Sequence, residues 1–365
     1  AEKPIVFTSN RASGCEPGDW GGLVIVGNGI INRADPVLLE GTNTGGTNVA
    51  VNYSGGTNNQ DDSGELRYVR VEFAGFGPAP NQELNSFTFA AVGSGTRLSY
   101  LQSLAGLDDS FEWFGGAVDG RYLVSYESGD DHFDASEGYV GRNQFLIGFQ
   151  STIIPPRSGS GNTSTDPQGI ENDGCAGTNC LNGATSQPFT VPVFANFTLV
   201  GLANTGVSAP AAGGRGVVLR RGTGGFYVNG LVSRWPAAAI AIRDQATADR
   251  IAAGDLAVRN VLVAESGAMF ETGAGTFTVD SVANAIQTAT TGTAAQFTIF
   301  AATPTTAGLD WTPAAASAAR TGGMATFSGT LATRAGSFVT GTAFRGAADP
   351  NGPKWWQGWT LYARN

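Results

Sequence analysis

The chain has 365 residues, of which 41% are hydrophobic and only 14% charged, and 53 are glycine. Its formal net charge is −9, its only lysines are Lys3 and Lys354, and it has no basic run, so it repels a phosphate backbone and nucleic acid is excluded as a partner. No apolar stretch reaches the ~18–20 residues that cross a bilayer as a helix, and a charged fraction well under the roughly 25% of ordinary soluble domains suits an extracellular β protein with many tight turns.

The first ten residues, AEKPIVFTSN, carry neither a basic head nor an apolar leader, as expected of a secreted chain after signal-peptide removal. Residues 1–18 read as an N-terminal arm. Its PIVFTS is strand-like and suited to pairing with the open sheet edge of a neighbouring copy. Cys15 follows ASG, but IVFTSNR is not the apolar region of a lipoprotein signal. GLVIVGNGII, residues 22–31, is strand-sized. Residues 40–63 and 155–187 are rich in Gly, Asn, Thr and Ser and read as loops projecting from the fold.

Between those loops the chain repeats. SFTFAAVGSGTRLSY, SFEWFGGAVDGRYLVSY and HFDASEGYVGRNQFLIGF start at Ser86, Ser110 and His132, 24 and then 22 residues apart. The spacing aligns Phe87, Phe111 and Phe133, and also Arg97, Arg121 and Asn143. Gly106 and Gly129 follow a strand in each copy, and the pairs Asp108–Asp109 and Asp130–Asp131 close it. LRYVRVEFAGFG from Leu66 is a fainter copy. A unit this short cannot bury its own apolar face, so copies must stack. Alternating runs such as YVRVEF and YLVSY are strands with one face inward.

Further on, VFANFTLVG, GFYVNGLVSRW and LAVRNVLVAES place Asn196, Asn229 and Asn260 before short apolar strands, 33 and 31 residues apart. Asn tolerates the left-handed turn conformation and can ladder its amides along a solenoid axis, although it is also simply a common turn residue. Residues 241–258 hold a helical pattern stopped by Gly254, and residues 313–323 a weaker one. Trp355, Trp356 and Trp359 read as a cap, residues 346–365, on the open end of a solenoid spanning 19–345. A sugar-stacking platform is the competing reading. Cys175 and Cys180, in a Gly/Asn loop, pair as a local disulfide. The expected fold is therefore all-β: one right-handed parallel β-helix with long Gly/Asn/Thr-rich loops and one or two short helices.

DWGGLVIVGNGIIN, DDSGELRYVRVEFAG, ELNSFTFAAVGSGT, DDSFEWFGGAVDGRYLVSY, GVVLRRGTGGFYVNGLVSRW and WWQGWTLY together resemble a widespread, largely uncharacterised set of secreted or outer-membrane-associated bacterial β-helix proteins. The resemblance runs from Asp19 to Tyr362. It implies a surface-associated β-helix and carries over no catalytic residue. Many members end in an anchoring segment, which is not recognisable here after Trp359, so the mode of surface attachment stays open.

The repeats concentrate acid: Asp108, Asp109, Glu112, Asp119, Glu127, Asp130, Asp131, Asp134 and Glu137. Three readings compete. Paired carboxylates on adjacent coils, such as Asp109 and Asp131, would be about 4.8 Å apart and suit glycoside chemistry, but one site is needed rather than one per coil. A column of Asp108, Asp109, Asp130 and Asp131 would suit a hard cation such as Ca2+, which relieves their repulsion. The plainest reading is turn capping, with Arg97, Arg121 and Arg142 neutralising the column and one of Arg220 and Arg221 pairing with a carboxylate on the next coil. His132, the only histidine, reads as a hydrogen-bonded turn residue. The expected function is a non-enzymatic extracellular structural protein of a bacterial surface layer, fibre or filament that polymerises through solenoid ends and loops. It has no catalytic residues and no required cofactor. The alternatives are a carbohydrate-binding or carbohydrate-cleaving β-helix, or an adhesin for a cell-surface glycan.

Overall fold

The computed structural model describes residues 3–34, 36–44, 49–80, 82–175, 177, 179–202, 214–273, 287–288 and 309–362. Two parallel sheets run along it. Sheet A takes Ile5–Phe7, Glu65–Glu72, Arg97–Leu104, Asp119–Tyr126, Arg142–Phe149, Val193–Val200, the pairs Gly225–Val228 with Leu231–Ser233 and Leu256–Arg259 with Leu262–Ala264, and Gln287–Thr288. Sheet B stacks Leu23–Val26, Phe87–Ala90, Phe111–Phe114, Phe133–Ser136, Gln168–Asp173, Arg215–Arg220, Ala238–Ile242 and Phe270–Thr272. Successive turns of one chain thus lie side by side in parallel, the topology of a right-handed parallel β-helix.

Each long strand of sheet A is two legs joined at a bend. Tyr68, Tyr100, Tyr122, Phe145, Asn196, Asn229 and Asn260 occupy the bend, all left-handed with φ of 53–64°. Only the flanking residues pair, as in Arg67 with Ser99 and Val69 with Leu101. The three asparagines therefore share one column, in the conformation their chemistry tolerates. Where the column is aromatic, stacking offsets the backbone cost: Tyr68–Tyr100, Tyr100–Tyr122 and Tyr122–Phe145 have ring centroids 4.4, 4.5 and 5.2 Å apart. The amides do not ladder on one another. Asn196 Nδ2 donates to Thr342 Oγ1, Asn229 Nδ2 to the Met324 carbonyl and Asn260 Nδ2 to that of Gly322, so the column is read by the C-terminal segment lying across it.

Phe87, Phe111 and Phe133 stack on adjacent coils with centroids 4.9 and 5.4 Å apart. The arginine alignment does not hold. Arg97 pairs with Asp119 and Arg121 with Ser99 and Gln144, because the hairpin-like turn before each strand differs in length. Residues 155–187 are not wholly loop either: Gln168–Asp173 is a full rung of sheet B between Phe133–Ser136 and Arg215–Arg220. Residues 40–63 contribute Asn52–Tyr53, which pairs antiparallel with Val37–Leu38. The PIVFTS strand pairs within its own chain, Ile5–Phe7 lying parallel to Val69–Val71 of the next coil. Of the helical patterns, the first is the helix Gln245–Ala252, capped by Asp244 accepting from Thr247 N. The second is only the short turn Ala318–Arg320, and a helix not anticipated spans Gly329–Ala335.

The tryptophans do not cap an end. The segment from Leu309 runs along the side of the coils and clasps the aromatic bend. Trp359 meets the Tyr68 and Tyr100 rings edge-on at 5.9 Å, and Trp355 lies 5.1 Å from Tyr122. Trp356 and Trp359 are buried, so they offer no sugar platform. Cys175 and Cys180 are disulfide-bonded, as the spacing suggested, while Cys15 Sγ contacts the Arg11 carbonyl.

Close stacking explains one repeated glycine. A Cβ at Gly129 would lie 1.9 Å from the Leu107 carbonyl oxygen of the coil below. Gly129→Ala must push two coils apart and is expected to cost about 1–3 kcal/mol, measured as a lower urea midpoint with an unchanged m-value.

Candidate functional site

Sheet B alternates. Phe87, Phe111, Phe133 and Ile170 face the core, while the paired neighbours Thr88, Glu112, Asp134 and Glu171 face outward. Period-two alternation fixes both sets once the register is set. The turn entering each strand stacks in the same way: Ser86 N donates to the Asp109 carbonyl, Ser110 N to that of Asp131 and His132 N to that of Gln168. The repeated Asp pairs therefore lie beside the outward Glu112, Asp134 and Glu171.

The structure brings together all four predicted acids, Asp108, Asp109, Asp130 and Asp131, and adds these three. Asp108, Asp109 and Asp130 form one group, Asp109, Glu112 and Asp134 a second, and Asp131, Asp134 and Glu171 a third. Within each group the three oxygens lie within 4.8 Å of one another. The other acids of the repeats go elsewhere. Asp119 pairs with Arg142, Glu137 with Arg33 and Tyr53, and Glu127 accepts from Ser151 and Thr152. Arg97, Arg121 and Arg142 lie on sheet A and do not neutralise the row. That task falls to Arg220, which reaches Glu171 and Asp173 at 2.7 Å each, and to Arg243, 2.9 Å from Asp166.

Part of the row caps turns. Asp131 N donates to Asp109 Oδ1 at 2.9 Å, and Gln168 N donates to Asp131 Oδ1. Two buried oxygens do not: Asp134 Oδ1 and Glu171 Oε1 accept no hydrogen bond, although Arg243 lies 3.9 Å from the latter. Burial and mutual repulsion raise the proton affinity of every member. Asp130 is pushed to about 8 and Glu171 to about 7, burial being the larger cause in each, and Asp108, Asp109, Glu112, Asp131 and Asp134 move the same way. Seven carboxylates in one row must share protons or share a counter-cation. The third group, with its two unused oxygens, has the donor chemistry of a hard-cation site. Beside the first group opens a pocket of about 240 Å3 lined by Glu83, Asp108, Asp130, Asn162, Thr163 and Ser164.

Glu171 was out of reach of the sequence because its strand sits in a Gly-rich stretch read as loop. Its signal was the alternation of Ile170 and Asn172 with Glu171 and Asp173. Asn85 was missed too. It occupies the Asp109–Asp131 column one coil earlier, and its Nδ2 donates to Glu112 Oε2. His132 is buried and its Nδ1 is 2.5 Å from Ser125 Oγ. Burial holds the imidazole at about 3, so it is neutral near pH 7. With Ser125 fully buried this pair is a hydrogen-bonded element of the interior.

The chain matches the family model for the pectate-lyase like beta helix domain over residues 1–313. No curated protein and no solved structure matches it.

Proposed function

The chain belongs to the pectate-lyase like beta helix domain family, and from that fold we propose that it is a non-enzymatic extracellular structural protein whose copies stack end to end. One observation carries this reading: the first coil is open. Ile5–Phe7 and Leu23–Val26 are the terminal strands of their sheets, each paired on one side only among the described residues. Ile5, Val6, Phe7, Val24 and Val26 are all exposed, Ile5 at 61%. Proteins usually blunt such edges with charge, proline or a covering element. A second copy presenting its last coil would continue both parallel sheets, and a heterologous contact of that kind propagates into a filament. The disulfide fits an oxidising compartment, and no helix among the described residues is long and apolar enough to cross a membrane.

The acidic row enters this reading as a cation-stabilised seam, with Asp131, Asp134 and Glu171 holding Ca2+ and Asp108, Asp109 and Asp130 a further ion. A carbohydrate-active reading is the second. It is supported by the family and by the 240 Å3 pocket beside the carboxylates, but Arg220, Arg221 and Arg243 are each held in ion pairs rather than offered as a base.

Electron microscopy and sedimentation of the purified chain test the assembly. Rods longer than one molecule are expected, and Val6→Lys with Val24→Lys, both at exposed positions, should return them to monomers. Monodisperse single rods at high concentration, with or without Ca2+, would rule it out. Loss of glycan cleavage in Asp109→Asn or Asp131→Asn, with an intact fold, would favour the second reading instead.

A further inference from the structure

Sheet A carries a different surface on its first leg. Arg67, Ser99 and Arg121 are paired neighbours on three successive coils, and Arg97 precedes Ser99 by two residues on the same outward face. With coils about 4.8 Å apart, three guanidiniums ring one small hydroxyl. Asp119 is taken up by Arg142, and Glu65 faces Arg97 at 3.3 Å where both are exposed. Arg67 has no ion-pair partner among the described residues, and its guanidinium lies 5.3 and 5.8 Å from the Tyr68 and Tyr100 rings. Arg121 lies 4.5 Å over the Phe338 ring, and its buried Nε donates to nothing. These residues line a groove of about 390 Å3 with Ser99 on the floor and Tyr100 and Phe338 as walls. The groove is locally cationic on a chain whose net charge is −9.

We propose that this groove binds a saccharide unit bearing a carboxylate or sulfate group, the anion seated over Ser99 and held by Arg67, Arg97 and Arg121. Arginine forks suit multi-oxygen anions. The groove has room for one sugar ring around the charge, and Ser99 is the only position of the three-coil row small enough to admit it. The tyrosine faces are taken up by one another, so recognition rests on the charged group and not on ring stacking. The site lies on a different sheet from the carboxylate row and does not depend on end-to-end assembly.

Calorimetric titration of the full chain at low salt tests it, with dextran sulfate, polygalacturonate, neutral dextran and inorganic sulfate as probes. One or both charged polymers are expected to bind and neutral dextran not to bind. Arg67→Gln with Arg121→Gln should weaken binding about tenfold or more. Ser99→Leu, which fills the floor without changing charge, should do the same, while Arg11→Gln, far from the groove, should leave it unchanged. Equal loss in Arg11→Gln, full binding by Ser99→Leu, or no binding of either charged polymer overturns the proposal. Inorganic sulfate competing as well as the polymers overturns the saccharide assignment.

Discussion

In a chelating buffer the thermal midpoint of this protein should fall as pH rises from about 5 to about 8, by on the order of 5 °C, and millimolar Ca2+ should restore it. The sign follows from the direction of the shifts. Asp130 and Glu171 hold their protons up to about 8 and about 7 when folded, against ordinary values of 3.8 and 4.5 when unfolded. The folded chain thus binds more protons across that window. Stability from these groups is fully present below the ordinary carboxylate range and is lost as pH climbs through the folded values. His132 acts in the opposite sense. Its folded value of about 3, against 6.5 unfolded, removes stability as pH falls between those limits. It is one group against a row of carboxylates, so the net slope above pH 5 belongs to the acids. A bound cation replaces the protons and flattens the slope. Asp134→Asn removes one charge from two of the three groups and should flatten it as well while weakening the Ca2+ response. Differential scanning calorimetry across pH, with and without Ca2+, decides. A midpoint that rises toward pH 8 in chelator would mean the row is neutralised by other means.

Trp311→Ala should cost about 3–5 kcal/mol, more than any change at the acidic row. Trp311 is fully buried between the coils and the clasp. Its Nε1 donates to Tyr126 OH at 2.8 Å, and its ring is 5.4 Å from that of Phe149. Truncation opens a cavity and leaves the buried Tyr126 hydroxyl without its donor. Tyr362 closes the same cluster, 5.4 and 5.6 Å from Tyr126 and Phe149, with its hydroxyl donating to Glu127 Oε1. The loss should therefore spread along the clasp and expose amides of residues 309–362 to hydrogen exchange before the coils open. Urea denaturation and exchange mass spectrometry measure both. A cost under about 1 kcal/mol would show that the clasp adds little to the stability of the coils.

The coil was legible because it is written locally. Phe87, Phe111 and Phe133 fall in one column since their strands recur at a nearly constant spacing, and the Asp pairs follow them. Where the spacing varied, as between Arg97 and Arg121, a two-residue slip misplaced the outward charges and hid the cationic groove. Glu171 and Arg220 were missed as members of the site because a loop separates their rungs from the clear repeats.

The sequence alone determined that this chain winds into stacked parallel coils, which residues fill the core and that acid recurs at the turn entering sheet B. A short unit that cannot bury its own apolar face leaves no other arrangement. Only the tertiary structure decided which outward residues become neighbours and what covers the bend. Coil-to-coil pairing joins residues across insertions of any length, and the clasp docks on a surface that exists only after the coils have stacked.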